Sequence, residues 1–176
     1  MTRAELEHAI RAAGAICGDR ELYVVGSQAI LGAFPDATGV LVQSMEANLA
    51  PKNLPELESL VEGSIGELSP FHQTFGFYVD GVDVSSVALP VGWRERVLVI
   101  DTPNTNGYRG LCLSPGDLAA SKLVAGREKD LAFVRAMMRA RMVAPALVRE
   151  RLVQVPNLSP DRLATLEEIV RRLASS

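Results

Sequence analysis

The chain has 176 residues, 48% of them apolar, a net charge of −3 and two cysteines, a composition that supports one well-filled core, or one core with an appendage. No apolar run approaches the ~20 residues of a membrane span, and the opening "MTRAELEHAIRAAGA" mixes acids with its apolar positions, unlike a signal peptide. The expectation is a soluble cytoplasmic protein without a membrane partner. The small net charge hides an asymmetry, because residues 1–113 hold 7 Lys and Arg against 14 Asp and Glu, whereas residues 114–176 hold 11 against 7.

In chain order, "TRAELEHAIRAAGAI" places Leu6, Ile10, Ala13 and Ile16 at helical spacing, with Thr2 and Glu5 set for a capping box. "ELYVV" reads as a strand that stops at Gly26, and "SQAILGAF" as a helix broken by Pro35 and Asp36. "GVLVQSMEANLAP" alternates as a strand, with Val42, Ser44, Glu46 and Asn48 on one face. "LPELESLVEGSIGEL" predicts a helix ending near Gly63 or Gly66. In "SPFHQTFGFYVDGVDVSSVALP" the Asp80-Gly81 pair predicts a hairpin turn, which assigns Asp80 to turn chemistry. "ERVLVID" and "LCLS" read as strands around the polar loop "TPNTNGYRG".

From Ser114 the pattern turns helical. "SPGDLAASKLVAGREKDLAFVRAMMRA" opens with a Ser cap, Pro at the first position and Asp at the third, "APALVRERL" follows, and "SPDRLATLEEIVRRLA" repeats the Ser-Pro-Asp opening. The predicted organisation is an α/β (α+β) core over 1–113 with a small mixed sheet, and a helical C-terminal part over 114–176 packed on it. The hairpin breaks the strand and helix alternation that a doubly wound parallel sheet requires.

Candidate chemistry collects at three places. Gly26 lets the chain turn sharply, and Ser27 begins a helix whose N–H groups and dipole attract phosphate. Glu46 and Asn48, two apart on a strand, share a face, as a pair of hard oxygen ligands for Mg²⁺ must. The basic C-terminal half offers cations for phosphates, although its arginines also alternate with acids as on a solvated helix face.

The runs "GSQAIL", "SMEANL" and "DLAASKLVAGREKDLAFV" resemble, over residues 20–140 and in the same order, the nucleotidyltransferase-like proteins related to the AbiEii and MenT toxins. The resemblance implies a polymerase-β-like nucleotidyltransferase core that takes a nucleoside triphosphate with Mg²⁺ (or Mn²⁺). It implies tRNA or a protein as acceptor, and a cognate antitoxin or toxin as partner. By the same resemblance Gly26 and Ser27 cradle phosphate, Glu46 is the first metal ligand, Asn48 stands where a second acid belongs, and Lys122 contacts the triphosphate. Arg127, Lys129 and Asp130 match the family's following charged segment. Glu for Asp at 46 and Asn for Asp at 48 depart from the family pattern, and the second removes one negative charge from a cation site.

The third carboxylate is expected at Asp83 on "VDVSSVAL", with Asp101 as the substitute. His72 reads as a packed, hydrogen-bonded residue, His8 as surface, Trp93 as a packing anchor, and Cys17 and Cys112 as buried thiols. No zinc spacing, Walker-type loop or Ser-His-Asp order is present. Two functions remain: an Mg²⁺-dependent nucleotidyltransferase, or a fold of that type that has lost its metal chemistry and binds a nucleotide, an RNA or a partner protein.

Overall fold

The computed structural model describes residues 1–175. Helix α1 (Arg3–Cys17) opens with the capping box of Thr2 and Glu5 and buries the stripe Leu6, Ile10, Ala13 and Cys17. Strand β1 (Glu21–Val24) leads into a 3₁₀ turn (Ser27–Ala29) that continues as the single turn α2 (Ile30–Ala33). After β2 (Glu46–Pro51) come α3 (Glu58–Ile65), α4 (Pro70–Phe75) and β3 (Tyr78–Gly81); β4 (Leu98–Ile100) and β5 (Arg109–Cys112) complete the sheet. Helices α5 (Pro115–Ala125), α6 (Glu128–Arg139), α7 (Pro145–Val153) and α8 (Pro160–Ala174) follow.

The five strands lie in the order β3-β2-β1-β5-β4. β1 pairs antiparallel with β2 and parallel with β5, β2 pairs parallel with β3, and β4 pairs antiparallel with β5. The expected mixed sheet is present. One contiguous apolar core runs from Leu6 on α1 through the sheet to Leu173 on α8, so the C-terminal helices share the core of the strands. Among the described residues no helix is long and apolar enough to cross a membrane.

Two local expectations are overturned. Asp80-Gly81 makes no hairpin: β3 ends there, paired parallel with β2, and the connection between the two strands is the α3–α4 crossover that a parallel pair requires. The strand reading of residues 39–45 also fails, since Gly39–Val42 forms a 3₁₀ turn and the extended backbone begins at Glu46. The stretch after Ser69 is helical, because Ser69 caps the backbone N–H of His72 and Pro70 occupies the first position of α4.

The long helical pattern after Ser114 is divided. Gly126 adopts left-handed geometry (φ 67), closing α5 with its N–H on the Lys122 carbonyl, and α6 restarts two residues later. The start of α5 is fixed by Asp117, which is fully buried and accepts from Arg96 (Nη2 2.7 Å, Nε 3.0 Å) and from Ser114 Oγ at 2.6 Å. Arg151 Nε stands 3.6 Å from the same carboxylate, so the network joins α5, α7 and the segment before β4.

Cys17 and Cys112 are free, buried thiols, and burial pushes the Cys112 thiol up to about 12, which leaves it unreactive. Trp93 is buried edge-on to Tyr23, as a packing anchor should be. His8 is not a bare surface residue; it packs among Phe71, Phe75 and Phe77, and burial, with help from Arg11, lowers its proton affinity.

Candidate functional site

One wall of the site comes from the period of a strand. On β2 the side chains of Ala47 and Leu49 enter the core, so Glu46 and Asn48 share the opposite face. The parallel register sets Glu46 beside Tyr78 and Asn48 beside Asp80, which places Asp80 on that face too. Asn48 Nδ2 donates to Glu46 Oε1 at 2.7 Å and to Asp80 Oδ2 at 3.0 Å, bridging the two carboxylates. The Tyr78 hydroxyl reaches Glu46 Oε2 at 3.4 Å.

Burial, and then the negative charge of Glu46, raise the Asp80 carboxyl above the usual aspartate range. Two acids are held together here against their mutual repulsion. Replacing Asp80 with Asn should therefore stabilise the ligand-free protein at neutral pH, by roughly 0.2–1 kcal/mol as for other cross-strand like charges. The sign follows from the direction of the shift. With a folded value above the unfolded one, the native chain binds more protons just above the ordinary value of 3.8, and stability falls as pH rises through that window. Urea unfolding of both proteins at acid and neutral pH reads this directly, and a wild-type profile retained by Asp80→Asn would refute it.

The opposite wall is cationic. Lys122, on the last turn of α5, is buried with its ammonium 3.0 Å from Asp130 Oδ1 and 4.8 Å from the centre of the Phe133 ring. Arg127 closes on the other side of the fully buried Asp130 carboxylate, Nε to Oδ2 at 2.6 Å, while its own side chain stays 61% exposed. Burial alone would raise the Asp130 carboxyl, but the hydrogen bonds from Arg127 and Lys122 outweigh it and hold the group below the usual range. Burial draws the Lys122 ammonium below the ordinary lysine value, and Asp130 opposes that pull. Lys122 is thus no solvated surface lysine.

Gly26 and Ser27 adjoin the acidic wall. A β-carbon on Gly26 would fall 1.8 Å from Asn48 Oδ1, so only glycine lets the β1 turn approach the amide this closely. The helix they open is a 3₁₀ turn plus one α turn, too short for the dipole expected of it, which leaves local N–H groups and the Ser27 hydroxyl for a ligand.

Both walls and the Gly26–Ser27 turn line a single cavity of about 870 Å³, within the range of small-molecule sites. It gathers Gly26, Ser27, Glu46, Asn48, Lys122, Arg127 and Lys129, as expected from the sequence. Asp83 is not among its lining residues. Its exposed carboxylate caps the turn Val84–Ser86 through Ser85, and the third polar group of the acidic wall is Asp80 instead. Asp101 lies near Arg109, and His72 accepts from the Leu68 N–H while its ring packs on Tyr78. Asp80, Ser121 and Phe133 are lining residues that sequence reasoning did not assign to the site. For Asp80 the alternation of "FYVDG", with Tyr78 and Asp80 two apart, was the available signal.

Among the described residues no group of three or more His, Cys, Asp and Glu side chains is placed to hold a metal ion. The set at hand is two carboxylates and one amide. All three carry hard oxygen donors of the kind Mg²⁺ and Mn²⁺ take, and the crowding of Glu46 and Asp80 is what a cation would relieve. The residues therefore fit a divalent cation, with a charge of −2 to offer.

Residues 5–160 match the family described as "Nucleotidyltransferase of unknown function (DUF6036)", and the chain belongs to that family. Neither the curated proteins nor the solved structures contain a match to the chain.

Proposed function

We propose that the cavity binds a nucleoside triphosphate with Mg²⁺ or Mn²⁺ and transfers its nucleotidyl group to a hydroxyl of an RNA or protein acceptor. The observation that carries the reading is the convergence of a paired-acid wall, a Gly-Ser turn and a cationic wall on one cavity. Glu46 and Asp80 would hold the cation, with Asn48 able to offer an amide oxygen, and a cation there would offset the phosphate charge and polarise the α-phosphate.

The remaining work falls to the chain. Ser27 and the adjacent N–H groups bind phosphate oxygens, and the exposed cations of Arg127 and Lys129 meet the β and γ phosphates. Lys122, pinned by Asp130, presents a fixed positive charge rather than a mobile one. The acceptor oxygen forms a bond to the α-phosphorus, the bond from that phosphorus to the α,β-bridging oxygen breaks, and pyrophosphate leaves with the electron pair. The acceptor's proton leaves to solvent water as the new bond forms. The likeness to AbiEii- and MenT-related proteins favours tRNA or a protein as acceptor and a toxin–antitoxin setting.

A second reading rests on Asn48. Its amide already bridges the two carboxylates, and this favours a nucleotide-, RNA- or partner-binding module without transfer. A thermal-shift titration with each nucleoside triphosphate, with and without Mg²⁺ or Mn²⁺, tests binding; saturation at a hundred times the dissociation constant adds about 2.7 kcal/mol. Glu46→Ala should abolish the metal-dependent part. Label passing from an α-labelled triphosphate to RNA or protein establishes transfer, binding without label supports the module, and no shift with any triphosphate removes both nucleotide readings.

A further inference from the structure

We infer that Asn48 denies the cavity a free-standing metal site, so that the divalent cation enters only as its complex with a triphosphate. The inference rests on the nucleotide reading above and specifies the order in which that site fills.

The two N–H donors of one amide are committed to the two carboxylates that a cation would need, at 2.7 Å from Glu46 and 3.0 Å from Asp80. The donor is built into β2, two residues from Glu46 and directly across from Asp80 on β3, so it is present at full effective concentration whenever the chain is folded. A lone hydrated cation must displace it and shed water, gaining two carboxylates and at most one neutral amide oxygen. Affinity for such ions follows ligand charge, and a neutral amide in place of a third acid weakens the set.

Rotation of the amide is itself constrained. Asn48 Oδ1 is lodged against Gly26, so close that a β-carbon there would lie 1.8 Å away, and turning this oxygen toward the carboxylates puts the N–H donors on the Gly26 side. A ligand must compensate for the two charge-assisted hydrogen bonds lost. A cation carrying a triphosphate brings the compensation with it. Its phosphates supply further oxygen ligands, as is usual for Mg²⁺ sites, and they meet Arg127 and Lys129 across the cavity. Neither half of that complex has its full set of partners without the other.

The test is a Mn²⁺ titration followed by electron paramagnetic resonance, which reads bound ion directly and needs no turnover. Wild type, Asn48→Asp and Asn48→Ala are each titrated with Mn²⁺ alone and with Mn²⁺ plus an α,β-methylene triphosphate analogue. Wild type should bind Mn²⁺ with the analogue and not without it. Asn48→Asp, which adds a charge, should bind Mn²⁺ alone at least about tenfold more tightly than wild type. Asn48→Ala removes the bridge without adding charge and should fall between them, which keeps the test decisive if the aspartate variant fails to fold. Wild type binding Mn²⁺ alone as tightly as the variants overturns the inference and leaves the nucleotide reading intact. No binding of the Mn²⁺–analogue complex by any of the proteins overturns both.

Discussion

Replacing Asp130 with alanine is expected to cost about 3–5 kcal/mol, the usual penalty when one partner of a buried ion pair is removed. At this chain length that lowers the melting temperature on the order of 10 °C. The size of the effect comes from Lys122. Its side chain is 10% exposed and has Asp130 at 3.0 Å as its counter-ion, whereas the side chain of Arg127 is 61% exposed and can turn to water. The π face of Phe133 offsets a smaller part of the desolvation cost. The loss should also depend on pH in a defined direction. Burial already lowers the Lys122 proton affinity, and removing Asp130 takes away what opposes it. In the variant the unfolded chain binds the proton that the folded chain gives up, so stability rises with pH from the folded value up to the ordinary lysine value of 10.5. Urea unfolding at neutral and alkaline pH measures both quantities. A variant as stable as wild type, or one whose deficit grows with pH, would show that Lys122 is not the buried cation of this site.

Most of the site was legible because its signals are local. Period two put Glu46 and Asn48 on one face, and a Gly-Ser pair after a strand marked the turn that adjoins them. Ser-Pro openings marked α5 and α8 through hydrogen bonds within a few residues. Asp80 was misread for the same reason. Asp-Gly is a strong local turn signal, whereas its actual partner is Asn48, 32 residues earlier, reached through a parallel pairing that no local pattern encodes. Asp83 took its place because "VDVSSVAL" has strand composition. The hydroxyl of Ser85 instead draws the Asp83 carboxylate into a capped turn. Lys122 could not be separated from a solvated lysine, since its burial depends on α6 folding back at Gly126 to bring Asp130 and Phe133 over it.

Gly26→Ala should both destabilise the protein and empty the site of its ligand. The backbone of Gly26, at φ −91 and ψ −167, is extended and open to alanine, so the cost is steric rather than conformational. The new methyl would stand 1.8, 2.6 and 2.9 Å from Oδ1, Cγ and Cβ of Asn48. The last of these atoms is fixed to the β2 backbone, and rotation of the amide alone does not clear it. β2 must move away from the turn, straining the hydrogen bond from the Val25 N–H to the Asn48 carbonyl at 3.1 Å, or the side chain must swing and release Glu46 and Asp80. Such overpacking costs about 1–3 kcal/mol. Either route spreads the acidic wall, so most of the ~2.7 kcal/mol that a saturating metal–triphosphate complex would add should disappear as well. Trimming the obstructing group in Gly26→Ala/Asn48→Ala should restore part of the stability, a coupling of roughly 0.5–3 kcal/mol in a double-mutant cycle. Thermal unfolding of the four proteins with and without Mg²⁺ and triphosphate supplies every term. If Gly26→Ala alone retained the full ligand-induced shift, the nucleotide would have to sit away from the Gly26–Asn48 contact, and Glu46 and Asp80 would lose their assignment as its cation ligands.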